Sequence, residues 1–239
     1  MVGGISAACT GVLAAFAAVF ALVTGGARAS EEAVDRTTQG ALSLDAHPNR
    51  GALKYERFCA RCHGSQAQGD ANRTIPALAG QRFTYLIRQL ANFSGVERDS
   101  NTMHGVLSQI ELQGPQTWVD IAAFLNRTPV HEDAQTGDGT HMALGRGIFH
   151  EQCAGCHRID AHGDVEGFVP SLRNQHYGYL VDQMHKLGDG RRHNVDENLV
   201  RFLHSFDEQD MNATADYLSR LHGPVAVHKV MRSDGVVVD

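Results

Sequence analysis

Past its first thirty residues the chain has four cysteines and no more: Cys59, Cys62, Cys153 and Cys156. All four fall in two five-residue motifs, so none is left over for a structural disulfide. Other signatures are missing too. The sequence shows no Ser-His-Asp set, no Gly-rich phosphate loop and no paired-carboxylate motif, which removes the commonest hydrolytic and phosphoryl-transfer chemistries. It has no low-complexity tract, and strand-like alternation is nearly absent. Positive charge is in deficit, with 21 Lys and Arg against 27 Asp and Glu, a formal net charge of −6. That balance argues against nucleic acid as a partner and favours partners that dock through basic patches.

The N-terminal stretch lacks charge altogether. From Val2 to Ala27 no residue is ionisable as a side-chain acid or base, apart from Cys9, and the run is rich in Ala, Val and Leu. Ala27-Arg28-Ala29 then fits a small-residue cleavage site before Ser30. Residues 1–29 are therefore expected to be a signal peptide, with an uncleaved N-terminal membrane anchor as the alternative. Either way the rest of the chain is exported. Loss of Arg28 with the leader leaves 20 cationic against 27 acidic residues, a net charge of −7.

What the sequence does contain is the same device twice. Residues 59–63 read CARCH and residues 153–157 read CAGCH, ninety-four positions apart. A Cys-x-x-Cys pair alone fits half a zinc site or a redox couple. A histidine directly after the second cysteine shifts the reading, because two thiols at this spacing form thioethers to the vinyl groups of a haem and the imidazole then ligates the iron. A single four-cysteine zinc site fails on spacing, since the pairs lie far apart and each has its own histidine. Two covalently bound haem c groups are expected, with Cys59, Cys62, Cys153 and Cys156 binding the cofactors and His63 and His157 as metal ligands.

The offset of ninety-four residues aligns more than the motifs. Gly51 meets Gly145, Tyr55 meets Phe149, Pro76 meets Pro170, Gln81 meets Gln175, Tyr85 meets Tyr179 and Gln89 meets Gln183. This is a duplicated domain. The expected layout is domain 1 at 48–128, a linker at 129–141, domain 2 at 142–222 and a tail at 223–239. Apolar residues recur at helical spacing, as in Leu86, Leu90 and Phe93 with their copies Leu180, Met184 and Leu187. A last helix carries Trp118, Ile121, Ala122 and Leu125, echoed by Met211, Ala215 and Leu218. The fold class is all-α. Gly51 and Gly145 are expected to let the first helix of each half approach the last one closely, with Tyr55, Phe124, Phe149 and Tyr217 packed across the crossing.

CARCHG, IPALAGQRFTYLIRQLANFSG and Met103 in the first half, with CAGCH, VPSLRNQHYGYLVDQMHKLGDGRR and DEQDMNATADYLSRL in the second, resemble the class I cytochromes c, specifically the tandem dihaem cytochrome c4 family. The resemblance covers roughly residues 48–221. It implies two tandem class I domains, each a small helical fold around one haem, and a periplasmic electron shuttle in a respiratory chain. The implied partners are a quinol-oxidising complex and a terminal oxidase, or else a dehydrogenase of which the chain is the cytochrome subunit. Membrane association would come only through the N-terminal segment.

The resemblance also places a sixth iron ligand at Met103, read as lying in a polar loop seven positions before Ile110. His104 is a weaker competitor. In the second half the pattern breaks. Counting seven back from Phe206 reaches Leu199, the plain offset reaches Glu197, and residues 188–210 contain no methionine. Met184 and Met211 read as core. His185, His193 and His204 are the nearby histidines; His193 sits in a loop that could reach an iron, whereas His204 is turned off the face of Leu199. The second haem is therefore ligated by His193 or lacks a distal protein ligand, and the residues leave both readings open. Electron transfer is the leading function. An enzyme acting at an open second iron is the alternative, since catalysis there needs a free coordination position.

Overall fold

The computed structural model describes residues 31–222, apart from positions 96 and 193, together with 230–231 and 237–238. The expected leader, most of the tail and His193 lie outside the described residues. The first half contains helices α1 (31–42), α2 (Pro48–Phe58), α3 (Ala60–His63), α4 (Phe83–Ser94), α5 (Asn101–Leu107) and α6 (Pro115–Arg127). The second contains α7 (Met142–Ile148), a π-turn over Phe149–Cys153, α8 (Ala154–His157), α9 (Tyr177–Gly188), α10 (Glu197–His204) and α11 (Glu208–Ser219). Among the described residues the only strands are two residues long, Val230–Met231 against Val237–Val238. No helix among them is long and apolar enough to cross a membrane.

The helices start where local chemistry says they should. Pro48 and Pro115 open α2 and α6 at the first helical turn, where no backbone N–H is needed. Asp207 and Asp210 form a reciprocal capping box at the head of α11.

Two crossings hold each half together. At Gly51 a Cβ would lie 1.9 Å from the Asp120 carbonyl, and at Gly145 it would lie 1.9 Å from the Ala213 carbonyl. Only glycine lets α2 sit this close to α6, and α7 to α11. Just beyond each glycine an aromatic pair covers the crossing, Tyr55 on Phe124 at 5.4 Å and Phe149 on Tyr217 at 5.7 Å between ring centroids. Tyr55, Ile87, Leu112 and Val119 are fully buried in the first core, and Phe149 and Ala215 in the second.

Helix α1 is an addition that the sequence pattern did not single out. Its buried Val34 joins Ala91 and Trp118 in a small apolar cluster, and Asp35 pairs with Arg88. The segment 129–141 is more than a connector. Asp216 accepts hydrogen bonds from the N–H groups of Gly137 and Gly139 at 2.9 and 2.7 Å, and Gln135 bonds His176 and Tyr177 through its backbone, which ties the segment to the second half.

The halves meet across a seam that repeats itself about an approximate twofold axis. The Gln81 side chain bonds both the N–H and the carbonyl of Ser171, at 2.8 and 3.0 Å. Gln175 does the same to Ala77, with both bonds at 2.9 Å. Arg98 donates to the Tyr179 hydroxyl and to Gln183, while Arg192 donates to the Tyr85 hydroxyl and to Gln183. Burial works to raise the Tyr85 pKa, but Arg192 and Arg98 outweigh it and hold the hydroxyl below its ordinary value.

Candidate haem-binding sites

Each site begins where a helix runs into its motif. Cys59 caps α2, its N–H bonded to the Tyr55 carbonyl at 2.8 Å, and a single turn then places Cys62 and His63, whose N–H groups both reach the Cys59 carbonyl at 3.0 Å. Gly64, at φ +80°, turns the chain sharply away from that helix, and the Tyr55 hydroxyl holds its carbonyl at 2.6 Å. The loop then folds back over the histidine. Gly69 donates to the His63 carbonyl at 2.9 Å, and Leu78 donates to the Ala67 carbonyl at 2.8 Å. That path delivers the Pro76 carbonyl to 3.1 Å from His63 Nδ1.

The second site is built in the same way. Gly163 donates to the His157 carbonyl at 2.9 Å, Leu172 donates to the Ala161 carbonyl at 2.9 Å, and His157 Nδ1 stands 3.1 Å from the Pro170 carbonyl. A carbonyl can only accept, so in both sites Nδ1 carries the proton and Nε2 keeps its lone pair. Burial lowers the pKa of both imidazoles against the smaller opposing pull of the proline carbonyls, which keeps them neutral. These are imidazoles oriented to ligate through Nε2.

The thiols fit the same purpose. None is in a disulfide. Burial, and then the neighbouring Cys62, pushes the Cys59 thiol up to about 12; burial and Cys156 push Cys153 up to about 11. Thiols that resist ionisation make poor zinc ligands, and no group of three or more His, Cys, Asp or Glu side chains that could hold a metal occurs among the described residues. The donor set fits a haem attached through thioethers. A further fit comes from Arg82 at the seam. It is 2% exposed, donates through Nε to the His162 carbonyl in the second haem loop, and keeps Nη2 without a protein partner, a donor that an anionic haem propionate would satisfy.

The distal candidates separate clearly. Met103 is the third residue of α5, a helix capped by the Ser100 hydroxyl, rather than part of an extended polar loop. The reason lies in that cap, since Ser100 satisfies the Met103 N–H and starts a turn that Leu107 anchors in the core. Met103 is half-buried. His104 is exposed, with Nδ1 3.2 Å from the Phe93 carbonyl. In the second half the N-cap of α10 is Asp196. With the caps matched, Leu199 holds the place of Met103, Phe202 that of Val106 and buried Leu203 that of Leu107. His204 points its Nδ1 at the Gly188 carbonyl, 3.2 Å away, and His185 faces Glu208 at 3.4 Å. Met184 packs in the second core and Met211 is buried.

Two helical halves, each presenting paired thiols and an oriented imidazole, define a c-type cytochrome, an electron carrier built on covalently bound haem c. Residues 142–222 match the cytochrome c family profile. Cytochrome c4 of Pseudomonas aeruginosa is 26% identical over 174 residues, covering 69% of this chain and 84% of that protein. The thiosulfate dehydrogenase electron acceptor of Stutzerimonas stutzeri is 27% identical over 194 residues, covering 77% and 88%. The fold matches the crystal structure of reduced recombinant cytochrome c4 from Pseudomonas stutzeri with a TM-score of 0.66 at 24% identity, over 74% of this chain and all of that one. The chain is thus similar in sequence and in fold to the dihaem cytochromes c4.

Sequence reasoning missed the seam arginines. Arg98 and Arg192 are themselves ninety-four residues apart, so the repeat offset carried the signal.

Proposed function

We propose that this chain is an exported, periplasmic dihaem cytochrome that passes single electrons between respiratory redox proteins. The observation that carries the reading is the repeated placement of a neutral imidazole, its Nδ1 tied to a proline carbonyl, directly after a pair of unoxidised thiols. Cys59 and Cys62 hold one haem, Cys153 and Cys156 the other, with His63 and His157 as proximal ligands. When bound, haem c supplies a one-electron couple whose potential is set by its axial ligands and their surroundings. The chain orients the imidazoles, screens them from water within each helical core, and holds the two halves in register through Gln81 and Gln175.

Met103 supplies a thioether to the first iron and so raises its potential. The donor and acceptor are redox proteins, either a quinol-oxidising complex and a terminal oxidase or a dehydrogenase. Similarity to a protein named as the electron acceptor of a thiosulfate dehydrogenase supports a dehydrogenase donor. The net charge of −6 favours partners with basic docking faces.

The reading is tested on the full-length exported protein. The ferric form is expected to show the weak charge-transfer band of Met-ligated haem, lost in Met103→Ala and retained in Met184→Ala. Survival of the band in Met103→Ala would refute the assignment of the first site.

A further inference from the structure

The two distal helices start from matched caps and end on matched buried leucines, yet they differ at the position of the candidate thioether ligand. Ser100 and Asp196 each bond an N–H of the first turn, and three residues later come Met103 in α5 and Leu199 in α10. Leucine has no lone pair. From Leu199 the inner stripe of α10 continues as Phe202 and Leu203, at i+3 and i+4, and Phe206, just past the helix end, stacks edge to face on Phe202 at 4.8 Å. The stripe is apolar throughout. The neighbouring histidines are engaged elsewhere, His204 at the Gly188 carbonyl and His185 at Glu208.

Two residues of the segment that precedes α10 bond across the seam. Arg192 donates to the Tyr85 hydroxyl, and Asn194 donates to Gln89 Oε1 at 3.3 Å, so both residues are bonded to the first half. Matching Arg98 to Arg192 and Ser100 to Asp196 also shows that the second half has two extra residues between them. The extra length lies in the seam loop and leaves α10 in the same register as α5.

We infer that the second haem has an open distal position, faced by Leu199 and the apolar side of α10, that takes a small neutral diatomic ligand. The inference rests on the reading that His157 and its cysteines hold a haem. Among the described residues, Leu199 and Phe202 on this face carry no hydrogen-bond donor, which favours a neutral diatomic over an anion because they offer nothing to pair a negative charge. Coordination forms one bond to ferrous iron and breaks none, since α10 contributes no donor to displace. The first haem, closed by Met103, stays as the electron-transfer partner.

Carbon monoxide is the probe, added to the fully reduced full-length protein whose haem content has first been measured. Wild type is expected to bind one equivalent per two haems, and His193→Ala is expected to bind the same amount at the same rate. Leu199→Met is expected to lose this binding and gain a second Met-haem charge-transfer band when oxidised. Leu199→Ala, which clears the distal face, is expected to bind faster than wild type. Binding that appears only in His193→Ala would overturn the inference by making His193 the ligand, and no binding in either protein would overturn it as well. A haem content of one per chain would instead refute the dihaem reading, so the two failures are told apart before the gas is added.

Discussion

Met103 and Leu199 stand at the same place on two short helices that the chain builds alike, and the contrast between them divides the molecule into what duplication kept and what it released. The proximal side keeps its main contacts. His63 and His157 each sit 3.1 Å from a proline carbonyl, and Gly51 and Gly145 each bring a backbone carbonyl to where a Cβ would be, at 1.9 Å. On the distal side the candidate ligand position changes from a thioether to an alkyl group. Changes there leave the fold intact because Leu107 and Leu203, not the residues three or four positions earlier, anchor the helices in their cores. A ligand can therefore be lost without loss of the domain that held it.

The largest effect should come from the motifs themselves. Cys59→Ala with Cys62→Ala should remove half of the covalent haem, seen as the mass of the denatured chain, and leave the second site loaded. Loss of both haems would mean that the halves do not fold as separate haem-binding units.

The glycine crossings come next. Gly51→Val and Gly145→Val each force a side chain into backbone, so each should cost at least the roughly 1–3 kcal/mol of a typical overpacked core. Thermal unfolding followed at the haem band should show the damage mainly in the mutated half. Equal damage to both halves would break the comparison by making the seam dominant.

A smaller and symmetric effect is expected at the seam. Gln81→Ala strips the partners of Ser171 N–H and carbonyl, and Gln175→Ala strips those of Ala77. Each variant should lose about 1–3 kcal/mol through unpaired, partly buried groups, and the two losses should agree. Denaturant melts of the two single variants check this.

The smallest effect separates the loops after the two histidines. The Gly167 N–H, against a slight opposing burial, and then the Glu166 N–H and Arg158 hold the Asp164 carboxyl below its ordinary value. A depressed carboxylate stabilises the fold above its unfolded pKa, about 4, and the contribution is lost as pH falls through the folded value. Asp164→Asn should therefore lower Tm at neutral pH, with the gap to wild type closing below about pH 4. The counterpart Asp70 has Gly64 where Arg158 stands, so Asp70→Asn should lower Tm less at neutral pH.

Much of this was legible in the sequence, and the residues show why the rest was not. The paired motifs, the ninety-four-residue offset and the helical spacing fixed the all-α class, because each is a local pattern. Gly51 and Gly145 were readable as close approaches because the repeat marked both. Gln81, Tyr85 and Gln89 were visible as repeated residues, but nothing local says that their partners lie across the seam, in the other copy. The plain offset also misplaces the distal residue. Two residues inserted between Arg192 and Asp196 shift α10 by two positions, and counting back from Phe206 reaches Leu199 where the offset reaches Glu197. Helix α1 escaped notice because its buried side is thin, with Val34, Thr38 and Ala41 as its buried positions.

The central claim is that one chain carries two unlike haems on one repeated scaffold. Its most direct test is a spectroelectrochemical titration of the full-length protein, with haem content measured on the same sample. Two one-electron steps of equal amplitude are expected, the one at higher potential accompanied by loss of the Met-haem charge-transfer band as ferric haem is reduced. A single step carrying the whole amplitude, with that band arising from both haems, would contradict the account.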